Sequence, residues 1–182
     1  GRAAPGRQFP QVAHDFTLQP GVPLIKASAT CSNGRTMVAL EQGEFTVDRP
    51  DKTPLRWRVP VAVRGGDGTV AKVLVDGKAS VELPGCGPVL VNDGQKGYFR
   101  TLYAPAQFKA LGDGFAGLPV VDQLGLMLDA SALAAVGLQP ESDMLDLTTK
   151  VPLDGSPNLW QLVAGTLGGI DDLYQDNARQ PA

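Results

Sequence analysis

Ten residues, Leu55–Arg64, alternate without a break. Leu55, Trp57, Val59, Val61 and Val63 fall on one side, and Arg56, Arg58, Pro60, Ala62 and Arg64 on the other. A strand turns its side chains to opposite faces at every residue, whereas a helix would scatter this set around its axis. The run therefore predicts a strand with one face on a core and one toward water, as in one layer of a sandwich. Its neighbours read the same way. Leu24–Cys31, Thr36–Glu41 (Met37, Ala39 and Glu41 on one face), Val70–Val75, Ala79–Leu83 and Val89–Val91 are strand candidates, and Phe45–Val47 is a short continuation. Asn33-Gly34 and Asp76-Gly77 read as hairpins, and Gly65-Gly66-Asp67-Gly68 turns the chain. Asp48–Pro54, with two prolines and four charges, is excluded from a central strand and reads as loop. Seven or eight short strands between turn signals predict an antiparallel β-sandwich of the immunoglobulin or fibronectin kind.

The segment Asn92–Tyr103 reads as a turn feeding a strand. Asp93-Gly94 and Gly97 supply positions that tolerate φ > 0, and Asn92-Asp93-Gly94 is a hairpin turn in preference to a calcium loop, since no bidentate glutamate follows. From Tyr98 the residues are β-formers. Tyr98, Arg100 and Leu102 share one face, and Phe99, Thr101 and Tyr103 the other, which makes a core strand with one buried or half-buried arginine.

Beyond Tyr103 the texture changes. Pro105 suits a first helical position leading Ala106–Leu111, and Gly112, Gly114 and Gly117 interrupt it. Pro119–Val136 reads as a helix with Val120, Leu124, Met127 and Leu128 on its apolar face, closed by Gly137. Glu141–Val151 carries Met144, Leu145 and Leu147. Ser156-Pro157 caps a last helix whose apolar positions are Trp160, Val163, Ala164, Leu167 and Tyr174. Such short helices do not easily close a core of their own and read as the opening of a helical array. The charge changes sign at the same place. Through Lys109 there are 14 Lys and Arg against 9 Asp and Glu, a net +5; from Ala110 there are 2 against 10, a net −8. Three segments are expected: a loose lead-in at 1–16, a β-sandwich at 17–104, and the start of a helical domain at 105–182, with a polar tail from Gln175.

Composition narrows the function classes. Charged residues make up 19% of the chain, with 22 glycines and 15 prolines, which favours many short elements over long helices. A +5 spread over several strands, with no run of Lys or Arg, is not a nucleic-acid surface. No stretch of about 18 apolar residues offers a transmembrane span. The one histidine, His14, makes an H-E-x-x-H zinc site arithmetically impossible, and there is no G-x-S-x-G elbow for a Ser-His-Asp triad. Asp171-Asp172 are adjacent on a helix and do not face each other, so they read as a solvated face. The Gly165–Gly169 run lacks a phosphate-cradling pattern. No catalytic, cofactor-binding or metal-binding residue emerges. Cys31 and Cys86 form no C-x-x-C; they are either two separate buried thiols or one disulfide across the β-domain, the latter implying an exported protein. The compartment stays open between an exported, periplasmic and a cytoplasmic setting.

Three motifs in order carry a resemblance. Gln19-Pro20-Gly21-Val22-Pro23 resembles the Q-P-G-x-P lead into the third domain of the zinc aminopeptidases of the membrane-alanyl-aminopeptidase (gluzincin) family. Trp57-Arg58-Val59-Pro60-Val61 is similar to that domain's W-x-[IV]-P-[LV] strand, and Asn92–Tyr103 to its N-x-G-Q-x-G-[YF]-[YF]-R-V-x-Y signature, with Thr101 where valine is usual. Asp122, Leu126 and Asp129 fit the D-R-x-x-L-x-x-D opening of the family's helical fourth domain, with Gln123 where arginine is usual. The resemblance implies a four-domain enzyme that removes N-terminal residues from peptides, with zinc held in a second domain. This chain would be a non-catalytic piece, the third domain plus the start of the fourth, and its partners would be the catalytic and remaining helical domains of one polypeptide. The sandwich would space the helical arch over the active-site cleft. Its structural residues would be Trp57 as a core anchor, Gly97, Tyr98 and Tyr103, and Arg100 bonding backbone carbonyls or a carboxylate at the inter-domain seam. The other reading is a free-standing sandwich module that binds a protein or carbohydrate.

Overall fold

The structure is a computed structural model that describes residues 9–47, 53 and 55–174. A helix, α1 (Phe9–Leu18), precedes strands β1 (Val22–Ser32), β2 (Arg35–Phe45), β3 (Arg58–Arg64), β4 (Val70–Asp76), β5 (Lys78–Pro84), β6 (Leu90–Val91) and β7 (Arg100–Tyr103). Helices α2 (Pro105–Asp113), α3 (Val120–Ala135), α4 (Glu141–Thr148) and α5 (Pro157–Tyr174) complete the chain.

The strands hydrogen-bond in the order β6-β3-β4-β5-β2-β1-β7. In the middle of that order β4 and β5 share only the pair Asp76↔Lys78. The ladder folds at this point into two layers, β6-β3-β4 and β5-β2-β1-β7. The alternation of the longest predicted strand is what fills the space between them. Trp57, Val59, Val61 and Val63 are all 2% exposed or less and join Ile25, Val38, Leu40 and Leu83 in one core. Burying valines and a tryptophan on this scale supplies the dominant favourable term, at about 25 cal/mol per Å² of apolar surface.

Several expectations are corrected by the fold. Asp76-Gly77 does not close a hairpin: Gly77 (φ 77°) turns a corner, after which β5 pairs with β2 over Arg35–Glu41 and leaves β4 to β3. The turn at Asn92 is likewise no hairpin, because β6 pairs with β3 and β7 runs parallel to β1 (Leu24↔Arg100 to Ala27↔Tyr103). Residues 92–99 therefore carry the chain from one layer to the other. β7 stands at the end of the strand order, with Phe99, Thr101 and Tyr103 buried inward and Arg100 half-buried, as expected of a core-facing strand. Local alternation reports faces and is blind to which strand lies alongside.

Of the expected lead-in, residues 1–8 lie outside the described residues, and the rest enters α1. There Val12 and Phe16, four residues apart on one face, are half-buried, and Asp15 is buried against β3. Tertiary contact sets this helix, which its sequence does not announce. The loop at 48–54 lies outside the described residues except for Thr53, and the tail from Gln175 lies outside them entirely.

In the helical half, the face of α3 was misread. Val120, Val121 and Leu128 are exposed, while Asp122, Gln123, Leu126, Met127, Asp129, Ala130 and Leu133 are buried. Two acids on the inner face mask the apolar period. On α5, Leu159 and Val163 are buried and Trp160, Leu167 and Tyr174 lie outward. α4 ends at Thr148, with Met144 and Leu147 inside. No helix of the described residues is long and apolar enough to cross a membrane.

Candidate functional site

The chemistry-bearing side chains gather at the seam between β7, the turn before it, and α3. Asn92 enters the left-handed region (φ 64°), which an asparagine tolerates because its short side chain can bond locally. It does so: its Oδ1 accepts the Gly97 N–H at 2.7 Å and its Nδ2 donates to the Gly97 carbonyl at 3.0 Å. Gly94 (φ 70°) and Gln95 (φ 52°) follow in the same region. The positive φ values thus fall on Asn92, Gly94 and Gln95, where Asp93, Gly94 and Gly97 were expected. Gly97 is needed for another reason, since a Cβ there would lie 2.3 Å from Cε1 of the buried Phe99 ring.

This turn is clasped to α3 by two carboxylates seven residues apart, hence two helical turns apart on one face. Asp122 Oδ1 accepts the Gly94 N–H at 2.8 Å and its Oδ2 accepts from Arg64 Nη2 at 2.8 Å. Arg64 reaches across from β3 and also holds Asp93, Nε to Oδ1 at 3.1 Å. Asp129 Oδ2 accepts the Thr101 N–H at 2.9 Å, and its Oδ1 accepts from Arg100 Nη1 at 3.0 Å. The Arg100 guanidinium lies 5.9 Å from the Phe45 ring centre, within cation–π range. Burial pushes the carboxyls of both Asp122 and Asp129 above the usual carboxylate range, while the donors beside them pull the other way. Each acid thus bonds one main-chain N–H and one arginine of the sheet. Between them, Leu126 is buried and Gly125 makes room for the Gln95 side chain.

Gln123, where arginine was expected, donates to the Phe115 carbonyl at 2.9 Å and so fastens the short turn between α2 and α3. Tyr103 closes the other end. Its buried hydroxyl accepts the Val91 N–H at 2.9 Å and donates to the Val91 carbonyl at 3.2 Å, and burial pushes the phenol well above its ordinary range. Among the residues singled out in the sequence, Trp57 is in the sandwich core, whereas Tyr98 is 67% exposed beside the clasp, on a cleft it shares with Gln95, Arg100 and Asp129. Cys31 and Cys86 are bonded to each other, Cα atoms 5.5 Å apart, tying the end of β1 to the loop before β6.

Sequence reasoning missed a second clasp. Asp15 on α1 accepts from the Arg58 N–H, Nε and Nη2 at 2.9, 2.7 and 2.6 Å, and the Arg58 guanidinium holds its carboxyl below the usual range. It also missed Arg64 and Gln95. The available signal was a row of arginines on the outward face of the alternating strand, three in ten residues, more than solvation of one strand face needs.

The clasp offers no activated nucleophile, and its carboxylates are committed to donors. Among the described residues no group of three or more His, Cys, Asp or Glu could hold a metal ion. His14 is exposed, its Nδ1 3.7 Å from Asp15. The donor set of this chain does not fit a zinc site of the H-E-x-x-H type.

Known proteins similar to this chain match it along most of its length. Aminopeptidase 2 of Candida albicans is 28% identical over 188 residues, covering 98% of this chain and 20% of that protein. The puromycin-sensitive aminopeptidase of Caenorhabditis elegans is 28% identical over 74% of the chain, and the glutamyl aminopeptidase of Bitis rhinoceros 22% identical over 94% of it. The chain spans one fifth or less of the length of these relatives. The model of the ERAP1-like C-terminal domain family matches residues 88–182, from the loop before β6 through every helix that follows the sheet, and the chain belongs to that family.

Proposed function

We propose that this chain is the non-catalytic sandwich, with the first helices of a helical domain, of a zinc-dependent aminopeptidase that removes N-terminal residues from peptides. The boundary between the two lies near residue 104, where β7 ends and α2 begins. The catalytic domain and the remaining helices of the same polypeptide are its partners, and zinc belongs to the catalytic domain. Its work is mechanical. The sheet holds the first helices at a fixed distance and angle, and so sets how the helical domain overhangs the cleft where peptides enter.

The observation that carries this reading is the clasp itself. Paired hydrogen bonds from Asp122 and Asp129 to main-chain N–H groups are directional, and rigid placement is what such bonds provide. A binding module would need no such seam to a helical half.

The test uses the full-length polypeptide carrying Asp129→Ala with Arg100→Ala. If the seam sets the overhang, kcat/KM for long peptides shifts severalfold relative to that for a single aminoacyl-arylamide, whose contacts are confined to the cleft. An unchanged ratio in a folded variant would refute the spacer role.

A further inference from the structure

Three connections meet at one end of the sandwich: the tip between β1 and β2, the turn between β3 and β4, and the loop between β5 and β6. The Cys31–Cys86 bond joins the first to the third, and it lies on the surface. Residues 31–35 and 84–88 are all exposed, so neither cysteine is covered by the core. A Cβ added at Gly34 or Gly85 would meet nothing within 4 Å, which leaves open space beside the bond. Cys86 stands between Gly85 and Gly87, with no side chain on either neighbour to screen its sulfur.

The loop does not depend on the bond for its place. The Gly85 N–H donates to the Gly34 carbonyl at 2.8 Å, and the Thr36 hydroxyl donates to the Gly85 carbonyl at 2.7 Å. On the other side Gly87 packs main chain to main chain on Gly66, where a Cβ would lie 3.1 Å from the Gly87 Cα. Cys31 is fixed in the β1–β2 ladder opposite Thr36. With the bond open, these contacts still hold the two Cα atoms near their 5.5 Å separation, which suits closure without backbone movement.

From this combination we propose that Cys31–Cys86 is a thiol–disulfide exchange site, open to a small-molecule thiol of the glutathione class and reversible in the folded chain. Exposed disulfides are the labile ones, whereas structural crosslinks resist reduction. An incoming thiolate attacks the Cys86 sulfur, forms a mixed disulfide there and expels Cys31 as a thiolate, which takes a proton from water. A second thiolate attacks the glutathione sulfur, releases Cys86 as a thiolate that is protonated in turn, and leaves as oxidised glutathione. One protein disulfide is reduced and two thiols are oxidised. The state of the bond then follows the surrounding thiol pool and sets how firmly this end of the sandwich is braced. The site stands apart from the aminopeptidase reading, since neither the seam with α3 nor any peptide-cleaving step enters it.

The test treats the purified chain with glutathione, with and without urea, then alkylates free thiols and reads the mass. Reduction in plain buffer is expected on the order of minutes to hours, and less than about tenfold faster in urea, because an accessible sulfur needs no unfolding. The reduced chain should still unfold cooperatively, at a lower urea midpoint, and should return to the closed mass on adding oxidised glutathione. Cys31→Ser, which leaves Cys86 alone, should take up one glutathione from oxidised glutathione in buffer. The proposal is overturned by an acceleration in urea beyond about tenfold, a reduced chain without a cooperative transition, failure to re-form the bond, or a Cys31→Ser chain that stays unmodified.

Discussion

Asp129→Ala tests the seam most sharply, and its size can be worked from the geometry. The residue is 7% exposed and accepts the Thr101 N–H at 2.9 Å and Arg100 Nη1 at 3.0 Å. Truncation leaves a buried main-chain N–H without its acceptor, at about 1–3 kcal/mol. The Arg100 side chain is 34% exposed, so water takes over much of its lost partner and adds only about 0–1 kcal/mol. The sum centres near ~2.5 kcal/mol, and at about 2–4 °C per kcal/mol for a chain of this size the melting temperature falls by roughly 5–10 °C. Asp129→Asn keeps a carbonyl for Thr101 and should lose less, and Arg100→Ala should also lose less than Asp129→Ala. Urea unfolding followed by far-UV circular dichroism and by tryptophan fluorescence measures all three. The two tryptophans report opposite halves, Trp57 in the sandwich core and Trp160 on α5. An Asp129→Ala protein within about 0.5 kcal/mol of the parent, or an Arg100→Ala protein that loses more than Asp129→Ala, would refute the reasoning.

Other outcomes follow from the same structure. Trp57→Ala removes a core side chain that is 1% exposed and is expected to cost about 3–5 kcal/mol by denaturant unfolding. Gly97→Ala drives a Cβ into the buried Phe99 ring and should cost about 1–3 kcal/mol, measured the same way. Asp15 has a folded carboxyl held below the ordinary 3.8 by Arg58, so the unfolded chain binds its proton more readily. Its contribution is present above that value and is lost as pH falls through the folded pKa. Asp15→Asn should therefore flatten the acid limb of a stability–pH curve below about pH 4, and an unchanged limb would remove Asp15 from the account. Reducing the Cys31–Cys86 bond reopens a separation of 55 residues and is expected to lower stability by up to about 4 kcal/mol, read as a shift in urea midpoint with and without reductant.

The sandwich was legible where one face dominates. The alternation of Leu55–Arg64 picked out Trp57, Val59, Val61 and Val63, and these are the buried set, because period two leaves no other face for them. Pairing was less legible. Nothing within Asp76-Gly77 distinguishes a hairpin from a corner, since that depends on which strands β4 and β5 meet elsewhere. On α3 the reading failed because Asp122 and Asp129 are buried for what they bond in the sheet, and a hydrophobic period discounts acids. The same blindness hid α1, a short helix with a buried acid of its own. The seam could be glimpsed only through the resemblance that set Asp122 and Asp129 beside the Asn92–Tyr103 signature.

The proposed role makes this chain a mechanical part of an aminopeptidase with no reaction centre of its own. The most direct measurement is hydrolysis of a panel of aminoacyl-arylamides by the purified chain, run alongside its zinc content by atomic absorption. No turnover above buffer and no stoichiometric zinc are predicted. Chelator-sensitive turnover with one zinc per chain would contradict it.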